Sequence, residues 1–307
     1  MQIVVDILNS ILFDAAILSL VTMGIVLIFR TSITTNFAQG TIATFSAYTV
    51  TAIVDLVFRA YLPNMPMALI LILSMIIGII TASLIGLFID VVLIRHSRFT
   101  NPIAKQMITM GVIMLLTGLQ TVIFTQLGME TRTPQFFTDS LGTHKIISYV
   151  LTIVVIGTIF VMLKFTKWGI GVRATASNEK VASMMGVNTK RITLTSWAIA
   201  SALGALAAAL YAPTIFTLSP NMMVGMQVNG FLAAVLGGFT SFGGPIVAAV
   251  LMTSARVIAT KLLFGVPVVI LGSQIDVWVP AFVYLVLFIV ILFKPLGLFG
   301  KKIVKKV

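Results

Sequence analysis

Between Ile7 and Phe29 the chain carries a single charged side chain, Asp14, in a run long enough to cross a bilayer. A spanning α-helix needs about 20 mostly apolar residues and satisfies every backbone polar group internally. Comparable apolar runs follow at 37–56, 66–94, 102–127, 146–163, 192–216, 224–236, 245–264 and 277–293. They are unbroken rather than alternating, which points to helices and away from a β-barrel. Charged residues make up 9% of the 307 positions and hydrophobic ones 59%, whereas a soluble domain carries about 25% charged residues. The expected fold is therefore an all-α, polytopic transmembrane helix bundle. It has about nine membrane segments; 224–236 is short, and 224–264 is either two spans or one re-entrant hairpin, which leaves seven full crossings with both termini on the same sides. The chain reads as a single domain over 1–307. The first run reads as a retained helix, since no Lys or Arg precedes it as a leader peptide would require.

Orientation follows from the bases. One side collects Arg30, then Arg95, Arg98 and Lys105, then the bases of 164–191, and finally Lys294, Lys301, Lys302, Lys305 and Lys306. The other collects Arg59, Arg132, Lys145, Arg256 and Lys261. The richer side is expected in the cytoplasm, with the N-terminus outside and the C-terminus inside. That also accounts for the net charge of +12 with the lipid bilayer as partner and without nucleic acid. Cysteine is absent, and His96 and His144 lie far apart, so no metal site is expected.

The polar interruption is the stretch 164–191, where Lys164, Lys167, Arg173, Lys180, Lys190 and Arg191 surround one acid, Glu179. It reads as a long cytoplasmic loop holding a short amphipathic helix. Ser177 or Asn178 can cap that helix by accepting a backbone N–H. Val181, Met184 and Met185 fall on one face, and Gly186 can take the left-handed conformation that ends it. A flexible Met-rich face suits docking into a partner's groove; it equally suits a helix resting on the bilayer surface.

Other polar positions stand out against the hydrocarbon. Asp14 lies within the first span, where a carboxylate costs about 2.5–3.5 kcal/mol unless it reaches water or pairs. Asn36 and Gln39 open the second span; capping is the expected role for Asn36, and Gln39 can cap or face a water-filled route. Asp90, near the inner end of the third span, is placed to pair with Arg95 or to snorkel to the surface. The run Gly237-Gly238-Phe239-Thr240-Ser241-Phe242-Gly243-Gly244 is followed by Pro245-Ile246 and lacks the Lys-Ser/Thr of a phosphate-binding loop. Its glycines serve close backbone packing or an irregular segment along a transport route. Asp14, Asn36, Gln39, Gly237, Gly238, Gly243 and Gly244 are thus the translocation-pathway candidates. No nucleophile–base set or metal-ligand cluster appears, so no catalytic residue and no cofactor of its own is expected.

The chain resembles the branched-chain amino acid permease family of ATP-binding-cassette importers. The residues that carry the resemblance are Asn36-Phe37-Ala38-Gln39-Gly40 with Ala47-Tyr48, and Gly169 through Arg173-Ala174. Asn178, Ala182, Gly186, Val187, Asn188 and Arg191 follow, then Ala198–Ala208, Val235–Gly238, Gly243-Gly244 and Phe293–Gly300. The resemblance implies that 164–191 is a coupling loop whose short helix sits in a cleft of the ATPase subunit. Arg173, Asn178, Glu179, Val181, Ala182, Met184, Met185 and Gly186 are then the coupling residues. The general importer pattern Glu-Ala-Ala, three residues, Gly is met here by Ala182 and Gly186; Glu179 falls one residue early. The resemblance further implies two ATPase subunits that bind ATP and Mg, a second permease, an extracytoplasmic solute-binding protein, and residence in the inner or plasma membrane. Branched-chain amino acids head the substrates, with nucleosides, sugars or urea as alternatives. A self-sufficient carrier with Asp14 as its ion-coupling site, and a membrane scaffold without solute flux, are the readings from other classes.

Overall fold

A computed structural model describes residues 2–62, 64–97, 101–128, 141–215, 218–263, 269–270, 273–274 and 278–300. The polar loop holding Glu130, Arg132 and Asp139, as well as Arg98 and the terminal lysines, lies outside them. In chain order the helices are α1 (Gln2–Ser32), α2 (Gln39–Ile53), α3 (Arg59–Tyr61), α4 (Met67–Phe88), α5 (Pro102–Gln126), α6 (Leu141–Phe165), α7 (Lys167–Ser177), α8 (Glu179–Met184), α9 (Thr189–Ile215), α10 (Val224–Gly237), α11 (Gly243–Leu263) and α12 (Val279–Phe293). A π-helical turn, Val54–Phe58, joins α2 to α3, and another, Ile89–Ile94, extends α4. A two-residue pair, β1 (Val269–Ile270) with β2 (Ser273–Gln274), sits between α11 and α12. Among the described residues seven helices are long and apolar enough to cross a membrane, and α10 and α12 are shorter apolar helices. The protein is a multi-pass membrane protein with a helical bundle fold.

Local chemistry sets several boundaries. Asn101 accepts the N–H of Ile103 at 3.0 Å with Pro102 in the first turn of α5, where a missing N–H costs nothing. Thr166 accepts the N–H of Gly169 at 3.1 Å and starts α7. The stretch expected as a loop over 164–191 is therefore mostly helix. The reason is packing: Gly169, Gly171, Val172 and Thr175 turn inward, and the polar side chains share the other face.

The core forms where α1 meets α9, α10 and α11, with α2 and α4 packed on α9. Ile17, Leu20, Met23, Val26 and Leu27 of α1 are fully enclosed, and the small-residue run Ala205–Ala209 lets α9 approach closely. Large apolar side chains of α4, α5, α6 and α12 point outward, as a lipid-facing or partner-facing surface requires.

Two helices begin at mid-depth along the bundle instead of at one of its ends. Gln39, the first residue of α2, donates to Ala200 O at 2.7 Å and lies against Gly24. Ala200 is about 16 Å along α9 from its start, and Gly24 about 12 Å from the end of α1, at ~1.5 Å per residue. The chain thus leaves α1, turns at Ile33 (φ +52°) and folds back into the interior before α2 starts. The start of α10 reaches the same level, because Gln227 contacts the backbone of Phe37 and Gly40.

Candidate functional site

Arg30, Asp90 with Arg95, Lys164 and Lys190 lie at helix ends on one side of the bundle, called the basic end here. The short helix α8 lies there. Asn178 accepts the N–H of Val181 at 3.1 Å, and this choice over Ser177 follows from its extended backbone. Gly186 takes φ +84°, and the N–H of Val187 reaches back to Ala182 O at 3.0 Å, which closes the helix. Ala182 is buried. Met184 and Met185 are 84% and 80% exposed and Val181 53%. Glu179 lines a cavity of about 670 Å³ together with Asp90, Arg95, Lys105 and Lys190.

The α7–α8 unit is tied to the spans on both sides. Arg173 donates to Leu163 O at the end of α6. Trp168 Nε1 donates to Thr195 Oγ1 of α9 at 2.7 Å. Arg95 pairs with the buried Asp90 and also donates to Lys190 O at 2.7 Å, joining the end of α4 to the start of α9. These contacts tie α7 to α6 and α9, and the end of α4 to the start of α9.

At mid-depth an amide network holds the two internal helix starts together. Gln227 Oε1 accepts the N–H of Gly40 at 2.5 Å, and its Nε2 donates to Phe37 O at 2.5 Å. A backbone N–H needs the oxygen and a backbone C=O needs the nitrogen, so the two contacts fix the amide's orientation. Asn36 Oδ1 accepts the N–H of Ala38 at 3.0 Å, but Ala38 itself holds the N-cap position and α2 has no side-chain cap, so the capping expected of Asn36 is not found: the chain turns two residues before the helix's N-cap. Gln120 donates to Thr41 O at 2.9 Å and Thr109 Oγ1 accepts the N–H of Phe37 at 3.1 Å. Asn36 and Gln39 are each 1% exposed and packed in this network. Gln227→Leu strands the Gly40 N–H and the Phe37 C=O. Unsatisfied buried groups cost about 1–3 kcal/mol each, so a loss of about 2–3 kcal/mol is expected, read as a lower melting temperature of the detergent-solubilised protein.

The glycine turn lies at the basic end. Gly237 and Gly244 are in backbone contact, and Gly238 (φ +88°) lies against Leu296 and Gly300. The segment after α12 folds over the end of α10, where Leu298 N–H donates to Leu236 O at 2.7 Å and Phe299 N–H to Gly237 O at 3.3 Å. These bonds satisfy carbonyls that a helix C-terminus leaves free. Arg30 donates to Thr240 O and lies 4.6 Å from the centre of the Phe242 ring. Gly243 has open space beside its Cα.

Asp14 stands apart from these. Its Oδ2 is 2.8 Å from Arg256 Nη2 on α11, and Tyr284 OH donates to Asn229 Oδ1 at 2.8 Å nearby. Arg256, counted with the bases of the poorer side, lies inside α11, short of its end at Leu263. Arg256 and Gln227 were legible as polar residues within apolar runs, but nothing in those runs named their partners. Asp14, Asn36 with Gln39, and the glycines thus occupy three separate places, and α8 a fourth.

The family described as "Branched-chain amino acid transport system / permease component" matches residues 7–294. The chain is 27% identical over 301 residues to the high-affinity branched-chain amino acid transport system permease protein BraD of Pseudomonas aeruginosa, covering 94% of this chain and 93% of that one. It is 25% identical over 303 residues to the probable branched-chain amino acid transport permease protein LivH of Methanocaldococcus jannaschii, covering 96% and 92%. Among solved structures, PsaBC from Streptococcus pneumoniae in complex with Fab aligns over 92% of this chain and 91% of that chain with a TM-score of 0.46 and 14% identity.

Proposed function

This chain belongs to the family of branched-chain amino acid transport permease components, and on that premise we propose that it is the membrane-spanning permease subunit of an ATP-binding-cassette importer for branched-chain amino acids. The observation that carries the coupling is the exposed Val181, Met184 and Met185 face on the capped helix α8, whose neighbour α7 is bonded to α6 and α9. In this reading the basic end faces the cytoplasm. Two ATPase subunits receive the α8 faces of this chain and of a second permease, and bind the ATP and Mg. An extracytoplasmic binding protein delivers the solute. This chain performs no covalent chemistry; its work is alternating access. Closure of the ATPases pushes α8, the push passes through Trp168–Thr195 and Arg173–Leu163, and the internal starts of α2 and α10 are the elements that rearrange. Asp14 is paired with Arg256, which removes the isolated acid that an ion-coupled carrier would use.

Proteoliposomes holding this chain, its partner permease, the ATPases and the binding protein test the reading. Labelled leucine uptake is expected only with ATP inside and with every component present. Uptake by this chain without ATPases, lost in Asp14→Asn, would establish the carrier instead.

A further inference from the structure

The pair Asp14–Arg256 is the floor of a cavity. A recess of about 400 Å³ opens over it, with Ser10, Thr260 and Lys261 in its lining. A narrow cleft continues past the same two residues and is walled by Leu18, Met226, Met252 and Val283. The recess has the size of a small-molecule pocket, about 300–1,000 Å³. Asp14 lies roughly 24 Å along α1 from Arg30 at ~1.5 Å per residue, so the recess belongs to the end of the bundle away from the bases.

We propose that this cavity is a low-affinity binding site for a free amino acid with an aliphatic side chain, held with its ammonium on Asp14 and its carboxylate on Arg256. The inference rests on the importer reading for its substrate class and adds the site to it. The physical argument is charge exchange. The side chains of Arg256 and Asp14 are 35% and 25% exposed, so the pair is open to the recess. It is joined by a single contact, Nη2 to Oδ2, so the second Nη2 hydrogen and Nη1 remain as an edge that can take a second carboxylate in a bidentate grip. Parting two ions in a poorly hydrated site is costly when either is left alone. A zwitterion replaces both partners at once, while a singly charged analogue strands one ion and a neutral sugar strands both. Val257 and Pro280, which line the same recess, then receive the aliphatic group. A clamp between α1 and α11 would need the ion pair, but neither the recess nor the apolar wall.

The test uses the assembled complex in detergent and follows its thermal unfolding with leucine, leucinamide (no carboxylate), 4-methylpentanoate (no ammonium) or sucrose. Leucine at saturation is expected to raise the melting temperature by about 2 °C or more, the other three to leave it unchanged. Asp14→Asn is expected to abolish the leucine shift, and Arg256→Lys to raise the half-saturating leucine concentration about tenfold by losing the fork. Equal shifts from leucine and leucinamide, no shift from leucine, or an undiminished leucine response in both variants would overturn the site. Leucine uptake after the same preparation is reconstituted into proteoliposomes separates the two ideas. Uptake without a leucine shift defeats the site and keeps the importer; a shift without ATP-dependent uptake keeps the site and defeats the importer.

Discussion

Replacing Met184 and Met185 together with glutamate is expected to cut ATP-driven uptake at least ~100-fold while the protein still inserts and folds. The two side chains are 84% and 80% exposed, so their replacement disturbs no packing within this chain. Exposed substitutions usually shift stability by less than about 0.5 kcal/mol. In the docked state the same residues would be the central apolar anchors of a small interface, and anchors of that kind carry about 2 kcal/mol or more each. Losing both and burying two carboxylates removes about 4 kcal/mol or more, roughly a thousandfold in affinity. Co-purification with the ATPase subunits should disappear in step with uptake. Met184→Leu with Met185→Leu keeps the apolar face and should keep both. If the glutamate variant still holds its ATPases, α8 rests on lipid and the partner docks elsewhere.

The second large effect is structural. Gly237→Leu is expected to prevent assembly of the basic end, with a loss of at least about 3 kcal/mol. A Cβ at Gly237 would run into the backbone of Gly244 and Pro245, and one at Gly244 would meet Phe299 Cβ at 2.9 Å. Backbone cannot move aside as a side-chain tip can, so α10 and α11 would have to separate. They would pull away Leu298 and Phe299, whose N–H groups bond to Leu236 O and Gly237 O. Gly243→Ala is the matched control: no atom lies within 4 Å of its added carbon, and a change under about 0.5 kcal/mol is expected. Size-exclusion profiles and melting curves of the detergent-solubilised proteins should separate the two at once. Similar behaviour of both would mean that the glycine turn is not packed as described.

Much of this protein was legible before any coordinates. Long uncharged runs dictate spanning helices, because no other structure satisfies a backbone in hydrocarbon. The α8 segment was readable from Asn178, the Val181–Met184–Met185 spacing and Gly186, all of which act within one or two helical turns. The shortness of α10 showed in its run. By contrast, α7 was hidden: its mixed polarity resembles a loop, and its helix depends on burying Gly169, Gly171 and Val172 against neighbouring spans.

Local pattern therefore determined which segments are long and apolar enough to cross a membrane, which end gathers the bases and where the short exposed helix begins and stops. Those properties are sums over adjacent residues. The tertiary structure alone decided that α2 and α10 start at mid-depth along the bundle, that Gln227 staples Gly40 to Phe37, that Asp14 is answered by Arg256, and that the last segment seals α10. In each of these the partner is remote in sequence: Gln227 lies 187 residues from Gly40, and Arg256 lies 242 from Asp14. A polar atom in an apolar run announces that it needs a partner, and only the folded bundle settles which one comes within reach.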